Sequence, residues 1–302
     1  MNNLNLSTRL RSNNFDLIRL LAAMQVAVSH ANGHLESELS IPLLSYFPGV
    51  PIFFLVSGFL ICLSYERSGS ISVYALNRVL RIYPALWFCF ILSVCSVLIA
   101  GYSLSFDFDF ALWTFAQNTF VTFYHPDFLR GYGVGVLNGS LWTISTELSF
   151  YVMLPLIYYF GKRFGNIDTL LVTLIIISVI IDQYYLENVT VYGDELWFKL
   201  IKVSLLPYLW MFLIGVLFQR QWLKINSWVS DKFYIWGSVL IGLFVVDYFL
   251  GFLQLGNHPS FLYFVILSFF IISFAFHANG RWSKWLKGND FSYGIYISYG
   301  CC

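Results

Sequence analysis

The chain has 302 residues, of which 58% are hydrophobic and only 11% charged, with a formal net charge of +1. Soluble domains carry roughly 25% charged residues, so an ordinary soluble domain is excluded, and the near-neutral balance argues against a nucleic-acid binder. The five cysteines (Cys62, Cys89, Cys95, Cys301 and Cys302) form no C-x-x-C pair and no metal-like cluster, so neither a disulfide framework nor a metal site is expected.

Apolar runs fall at about 15–33, 49–65, 84–102, 140–160, 167–185, 200–218, 233–253 and 259–277, each close to the ~20 residues a membrane helix needs. A ninth begins at Phe291 and stops with the chain. The expected fold is all-α: a polytopic transmembrane bundle of about eight complete spans and an incomplete last one. Residues 1–302 then form one membrane domain with no fused soluble domain. With the N-terminus cytoplasmic, 14 Lys and Arg residues fall inside and three (Arg130, Lys199 and Lys202) outside, a strong positive-inside bias.

The first run, DLIRLLAAMQVAVSHAN from Asp16 to Asn32, carries Asp16, Arg19 and His30. On a helix Arg19 and His30 lie about 16.5 Å apart along the axis and share one face. Ionisable groups in a span usually face a cavity, a partner or a substrate path, because each costs roughly 2.5–3.5 kcal/mol on insertion scales. Arg19 also reads as a snorkelling anchor with Asp16 as its partner, and His30 as a plain interfacial residue. Arg9, Arg11, Leu20–Val28 and Ser29-His30-Ala31 further resemble a signal peptide, a reading weakened by the many spans that follow.

In the second run, GVPIFFLVSG (Gly49–Gly58), Pro51 suits a first helical turn, while Ser57 and Gly58 permit close helix approach. NRVLRIYP (Asn77–Pro84) sets Arg78 and Arg81 three apart on one helical face, with Pro84 starting the third span. Two guanidiniums there can grip phosphates through bidentate hydrogen bonds, although basic residues belong at an inner mouth in any case. The aromatic stretch 103–139 reads as an outer loop with an amphipathic surface helix; its alternating Phe106, Phe108 and Phe110 also fit a strand start. Gly131, Gly133, Gly135 and Gly139 make no G-x-G-x-x-G, so a mobile loop is expected there. GSLWTISTELSFYVMLP (Gly139–Pro155) then puts Glu147 inside a span with no basic residue nearby in sequence. Such a carboxylate should face a polar cavity or meet a charged partner. Trp142 and Tyr151 read as interfacial belt aromatics.

Arg-x10-His, GVPIFFLVSGF, RVLRIYP and SLWTISTELSFY, in this order over about residues 14–160, resemble the integral-membrane acyltransferase family 3, which O-acetylates cell-surface glycans. LPYLWMFLIG (Leu206–Gly215) and FSYGIYIS (Phe291–Ser298) resemble later, weaker signatures of that family. The resemblance implies a multi-pass protein of a bacterial inner membrane. It would move an acyl group, usually acetyl, from cytoplasmic acyl-coenzyme A to a sugar hydroxyl of a glycan such as O-antigen or exopolysaccharide. Acyl-coenzyme A is then a donor substrate, and no tightly bound cofactor is implied. His30 matches the family's essential histidine, Arg19 its paired arginine, Arg78 and Arg81 the basic pair, and Glu147 the outer-half carboxylate. Ser57 lies in the motif that helps line the acyl path.

The candidate catalytic residues are therefore His30 and Glu147. The candidate substrate-binding residues are Arg19, Arg78, Arg81, Ser57, Trp142 and Tyr151, with Arg78 and Arg81 also the grip on coenzyme A phosphates. Desolvation would keep His30 neutral and able to accept a proton, with Glu147 orienting the imidazole or stabilising its cation. His30 as a general base is preferred to His30 as a transient acyl carrier. A glycolipid flippase or polymerase, or a transporter of the same pathway, would share the composition without needing the Arg-x10-His face. None of the histidines (His30, His34, His125, His258 and His277) begins the H-x4-D motif of another acyltransferase class. The 12 residues from Phe291 to Cys302 reach about 18 Å as a helix against the ~30 Å hydrocarbon core, so a chain shortened from a longer acyltransferase is expected.

Overall fold

The computed structural model describes residues 13–34, 42–101, 104, 107–119, 124, 126–127, 142–286 and 294, and every regular element among them is helical. In chain order these are α1 (Phe15–His34), α2 (Pro42–Ser45), α3 (Gly49–Arg67), α4 (Ile71–Ile99), α5 (Phe108–Gln117) and α6 (Trp142–Arg163). They continue with α7 (Ile167–Tyr192), α8 (Leu196–Val203), α9 (Leu209–Arg220), α10 (Trp222–Val229), α11 (Phe233–Leu250), α12 (Phe261–Phe276) and a 3-10 helix, His277–Leu286. Side-chain caps start several of them. Ser70 accepts from Val73 N (3.2 Å), Asp107 from Phe110 N (3.1 Å), and Asn166 from Asp168 N and Thr169 N, each satisfying donors a helix start leaves open.

Among the described residues, α3, α4, α7 and α11 are long and apolar enough to cross a membrane, and α12 with the 3-10 segment, bent by 67°, adds a fifth only if that bent pair is one span. The helices α1 and α6 have spanning length, 20 and 22 residues, but carry more polar side chains, among them Arg19 and His30 in one and Thr146 and Glu147 in the other. These two carry most of the candidate site. The apolar outer faces of α4, α7 and α11, with Trp87, Phe88, Ile180 and Phe249 exposed, suit a hydrocarbon surround, and the molecule is a membrane protein.

Three boundaries differ from expectation. Pro84 does not start a span: it lies inside α4, which begins nearly four turns earlier at the Ser70 cap and places Arg78 and Arg81 in its body. The run at 200–218 is broken into α8 and α9, because Pro207 lacks the N–H that would continue the ladder. Ser178 of α7 holds the break, its hydroxyl donating to the Leu206 carbonyl (2.6 Å) and accepting the Trp210 amide (3.0 Å). Phe108 and Phe110 belong to the helix α5 and not to a strand. The glycines at 131–139, Phe291–Ser298 apart from Gly294, and the chain end lie outside the described residues.

The bundle is built around α3, whose apolar window is 72% buried against 11% for α11. Its closest partner is α9. A Cβ at Gly58 would fall 1.9 Å from the Phe212 carbonyl oxygen, and one at Gly215 would fall 2.0 Å from the Leu55 carbonyl oxygen. The two backbones therefore touch, each through the other's glycine. Phe150 of α6 stacks on Phe212 (4.5 Å) and meets Phe54 edge-on (5.1 Å), which brings α6 onto the same seam.

One end of the bundle is tied by ions. Arg220 Nε donates to Asp168 Oδ1 (2.8 Å) and its Nη1 to the Tyr158 hydroxyl (3.1 Å), while that hydroxyl donates to Glu66 Oε1 (2.7 Å). Gln219 donates to the other Glu66 oxygen (2.9 Å). This knot joins the ends of α3, α6 and α9 to the start of α7. Asn14, fully buried, donates to the Phe274 and His277 carbonyls and pins the start of α1 to the bend after α12.

Candidate active site

Glu147, on the second turn of α6, turns its Oε1 toward two hydroxyls. Tyr151, one turn along the same helix, donates to it at 2.5 Å, and Ser57 of α3 stands at 3.5 Å. The carboxylate is thus satisfied by protein groups, as a charge in a helical bundle must be. Tyr151 is 6% exposed, so the belt-aromatic reading fails for it: the ring is internal and its hydroxyl belongs to Glu147. A second contact follows on its ring face, where the Arg78 guanidinium lies 5.6 Å from the centroid, within cation–π range. Arg81 is close enough to act on Tyr151 electrostatically. Arg78 also donates to Ser64 Oγ (3.1 Å), while its Nε and Nη1 are buried without a hydrogen-bond partner among the described residues.

Ser57, Glu147, Tyr151, Arg78 and Arg81 therefore form one continuous cluster between α3, α4 and α6. Ser57 and Glu147 open on a small cavity of about 20 Å³ lined also by Val50, Phe53, Phe54, Thr143 and Ile144. A larger cavity, about 230 Å³, is also lined by Val50. His30 and Trp142 line it with Gln25, Ser29, Ser45 and Asn257. Val50 lines both, so the two chambers adjoin at one side chain. On α6, Trp142 and Glu147 are five residues apart, about 7.5 Å, which sets the same spacing.

The His30 imidazole is exposed on its cavity, so the desolvation argument for its neutral form does not apply. Gln25, one turn before Ser29, fixes the α1–α3 junction: its Oε1 accepts the Gly49 amide (2.8 Å) and its amide donates to the Leu44 carbonyl (3.1 Å). Arg19, lower on α1, is 3% exposed and enclosed by the bundle, not reaching for a membrane surface as a snorkelling anchor would.

Sequence reasoning overlooked Ser64, Tyr74 and Gln25. Ser57 and Ser64 are seven apart and share a helical face, and Tyr74 precedes Arg78 by four, so periodicity held the signal. Tyr74 donates to the Tyr151 carbonyl (3.1 Å), and its ring centroid lies 6.0 Å from the Arg78 guanidinium. The Asp182–His258 contact joins residues 76 apart and leaves no such trace.

A family model described as an acyltransferase domain matches residues 12–301. Nodulation protein 10 of Rhizobium leguminosarum bv. viciae is 32% identical over 305 aligned positions, covering 94% of this chain and 81% of that protein. The O-acetyl transferase of Shigella phage Sf6 is 32% identical over 154 positions, covering 47% of this chain and 45% of that protein. No solved structure matches.

Proposed function

The chain belongs to acyltransferase family 3, and from that premise we propose that it transfers an acyl group, acetyl in the first instance, from cytoplasmic acyl-coenzyme A to a sugar hydroxyl of a cell-surface glycan such as O-antigen or exopolysaccharide. The family match makes it an acyltransferase and sets aside the flippase and transporter readings. The observation that carries the finer reading is the line of polar groups from Arg78 through Tyr151 and Glu147 to Ser57, ending at Val50 beside the His30 cavity.

In this reading the coenzyme A phosphates meet Arg78 and Arg81. The two buried Arg78 donors that lack a partner among the described residues suit a charge-assisted contact to an anion. Ser57 and Glu147 flank the acyl path. His30 takes the proton of the sugar hydroxyl while its oxygen attacks the thioester carbonyl carbon. The carbon–sulfur bond then breaks, and the proton passes to the departing coenzyme A thiolate. Trp142 and the polar wall of the larger cavity receive the sugar, and Arg19 supports α1 beneath His30.

The same reading makes the N-terminus cytoplasmic, turns the His30 end outward, and takes the shorter and more polar helices as further spans, eight in all, in a bacterial inner membrane. Arg67, Lys162, Arg163 and Arg220 end α3, α6 and α9 at the opposite end of the bundle from His30, as positive-inside placement requires.

The test is acyl transfer in membranes from an expressing strain supplied with radiolabelled acetyl-coenzyme A. Label in the glycan fraction, absent from membranes lacking the protein, is expected. Equal label with and without it would contradict the reading.

A further inference from the structure

A buried acid and base lie beyond the residues already assigned. Asp182 of α7 is 1% exposed, and its Oδ1 is 2.5 Å from His258 Nδ1, while Oδ2 accepts the Trp210 indole N–H at 3.0 Å. His258 follows Gly256 and Asn257 in the connection between α11 and α12, and those two residues line the His30 cavity. Its ring packs on Tyr185, stacked at 5.1 Å, and on Tyr208, tilted at 5.2 Å. Tyr208 in turn packs on Trp142 at 5.0 Å, on the same cavity.

A loop between two helices needs no buried acid–imidazole contact to stay folded; Gly and Pro turn chemistry suffices. Burying a carboxylate is costly, and breaking such a contact leaves it without its partner. What the pair fixes here is the position of the cavity wall. An aromatic column, Tyr185–His258–Tyr208–Trp142, runs from the anchored acid to the indole, and Asn257 stands exposed one residue before the clamped ring.

Resting on the acyl-transfer reading, we propose that Trp142 and Asn257 form the subsite for a single pyranose ring of the acceptor, and that the Asp182–His258 pair positions it. Trp142 offers an aromatic face to the ring's apolar C–H groups. The Asn257 amide, both donor and acceptor, selects among hydroxyl configurations. Gln25, Ser29 and Ser45 add polar lining, with His30 in the same chamber. Asn257 is thus a specificity residue. His258 acts through it as a positioning residue and not as a second base, since Asp182 engages its Nδ1 and its Nε2 faces the Tyr208 hydroxyl at 3.5 Å.

The experiment is saturation-transfer NMR on the purified full chain with the methyl glycosides of glucose, galactose, mannose, rhamnose and N-acetylglucosamine. Acetyl-coenzyme A binding is measured in parallel. Wild type should bind at least one glycoside, and Asn257→Ala should weaken that binding about tenfold, the size of one lost hydrogen bond, and change the rank order of the five. His258→Ala should weaken it similarly, and His258→Gln, whose amide can still donate to Asp182, should recover most of the loss. Acetyl-coenzyme A binding should stay within about twofold throughout. No glycoside bound by wild type, variants that bind as wild type does, or a parallel loss of acetyl-coenzyme A binding would each overturn the proposal. Absence of acetyl-coenzyme A binding by wild type would instead contradict the transfer reading and leave the sugar result standing.

Discussion

Arg78 is the residue whose surroundings demand most from a ligand. It sits on the face of Tyr151, donates to Ser64, and keeps two buried donors without a partner among the described residues. Buried donors left unpaired cost roughly 1–3 kcal/mol each, so a phosphate there would be held firmly. Arg78→Lys should therefore lower coenzyme A affinity although it keeps the charge, and Arg78→Ala/Arg81→Ala should lower it further, because Lys has charge without the fork. Wild-type affinity in Arg78→Lys, measured by calorimetry on purified protein, would contradict a phosphate grip. Tyr151→Phe removes the donor to Glu147 and should lower stability by about 1.5–3 kcal/mol, read as an earlier thermal transition. An unchanged transition would mean that Glu147 is held by other groups. Arg19, His30, Arg78, Arg81 and Glu147 were legible because ionisable residues in apolar runs stand out. Which of them touch was not. That Tyr151 joins Arg78 to Glu147 depends on α4 starting at Ser70, and the Pro84 signal pointed to a later start.

Among the elements, the α3–α9 crossing matters most, since it sets where Ser57 stands relative to α6. Gly58 and Gly215 each meet the other helix's backbone at under the distance any side chain tolerates. Gly58→Leu should force the helices apart and cost at least the 1–3 kcal/mol typical of overpacking. Loss of folded protein in detergent chromatography is expected, whereas normal yield and activity would contradict the close crossing. The sequence suggested this role for Gly58, and the short apolar segment Leu209–Arg220 supplies its partner. Less could be read at the break between α8 and α9. Pro207 marks it, but the Ser178 hydroxyl that satisfies both of its sides is about thirty residues away. The Arg220–Asp168–Tyr158–Glu66 knot was hidden for the same reason, since charges at helix ends look like topology signals until their partners are placed.

For the whole molecule the helical membrane class followed from composition, whereas the number of spans did not, because α1 and α6 trade apolar character for the residues that make the site. Orientation is testable by thiol labelling in a background with Cys95, Cys301 and Cys302 replaced by Ser. Glu195→Cys, at the start of α8, should react with an impermeant maleimide on intact cells, and Lys162→Cys, at the end of α6, only after permeabilisation. The opposite pattern would invert the proposed topology. The central claim is that His30, facing the larger cavity, removes the acceptor proton in acyl transfer. The most direct measurement is NMR of the cell-surface glycan from strains carrying wild-type or His30→Ala protein at matched membrane levels. Removing an acid–base group typically costs about 10²–10⁴ in rate, so O-acetyl signals present with wild type should be lost with the variant, while residues 1–31 remain attached by mass spectrometry in both. Near-normal O-acetyl signals from a normally inserted His30→Ala protein would contradict the account.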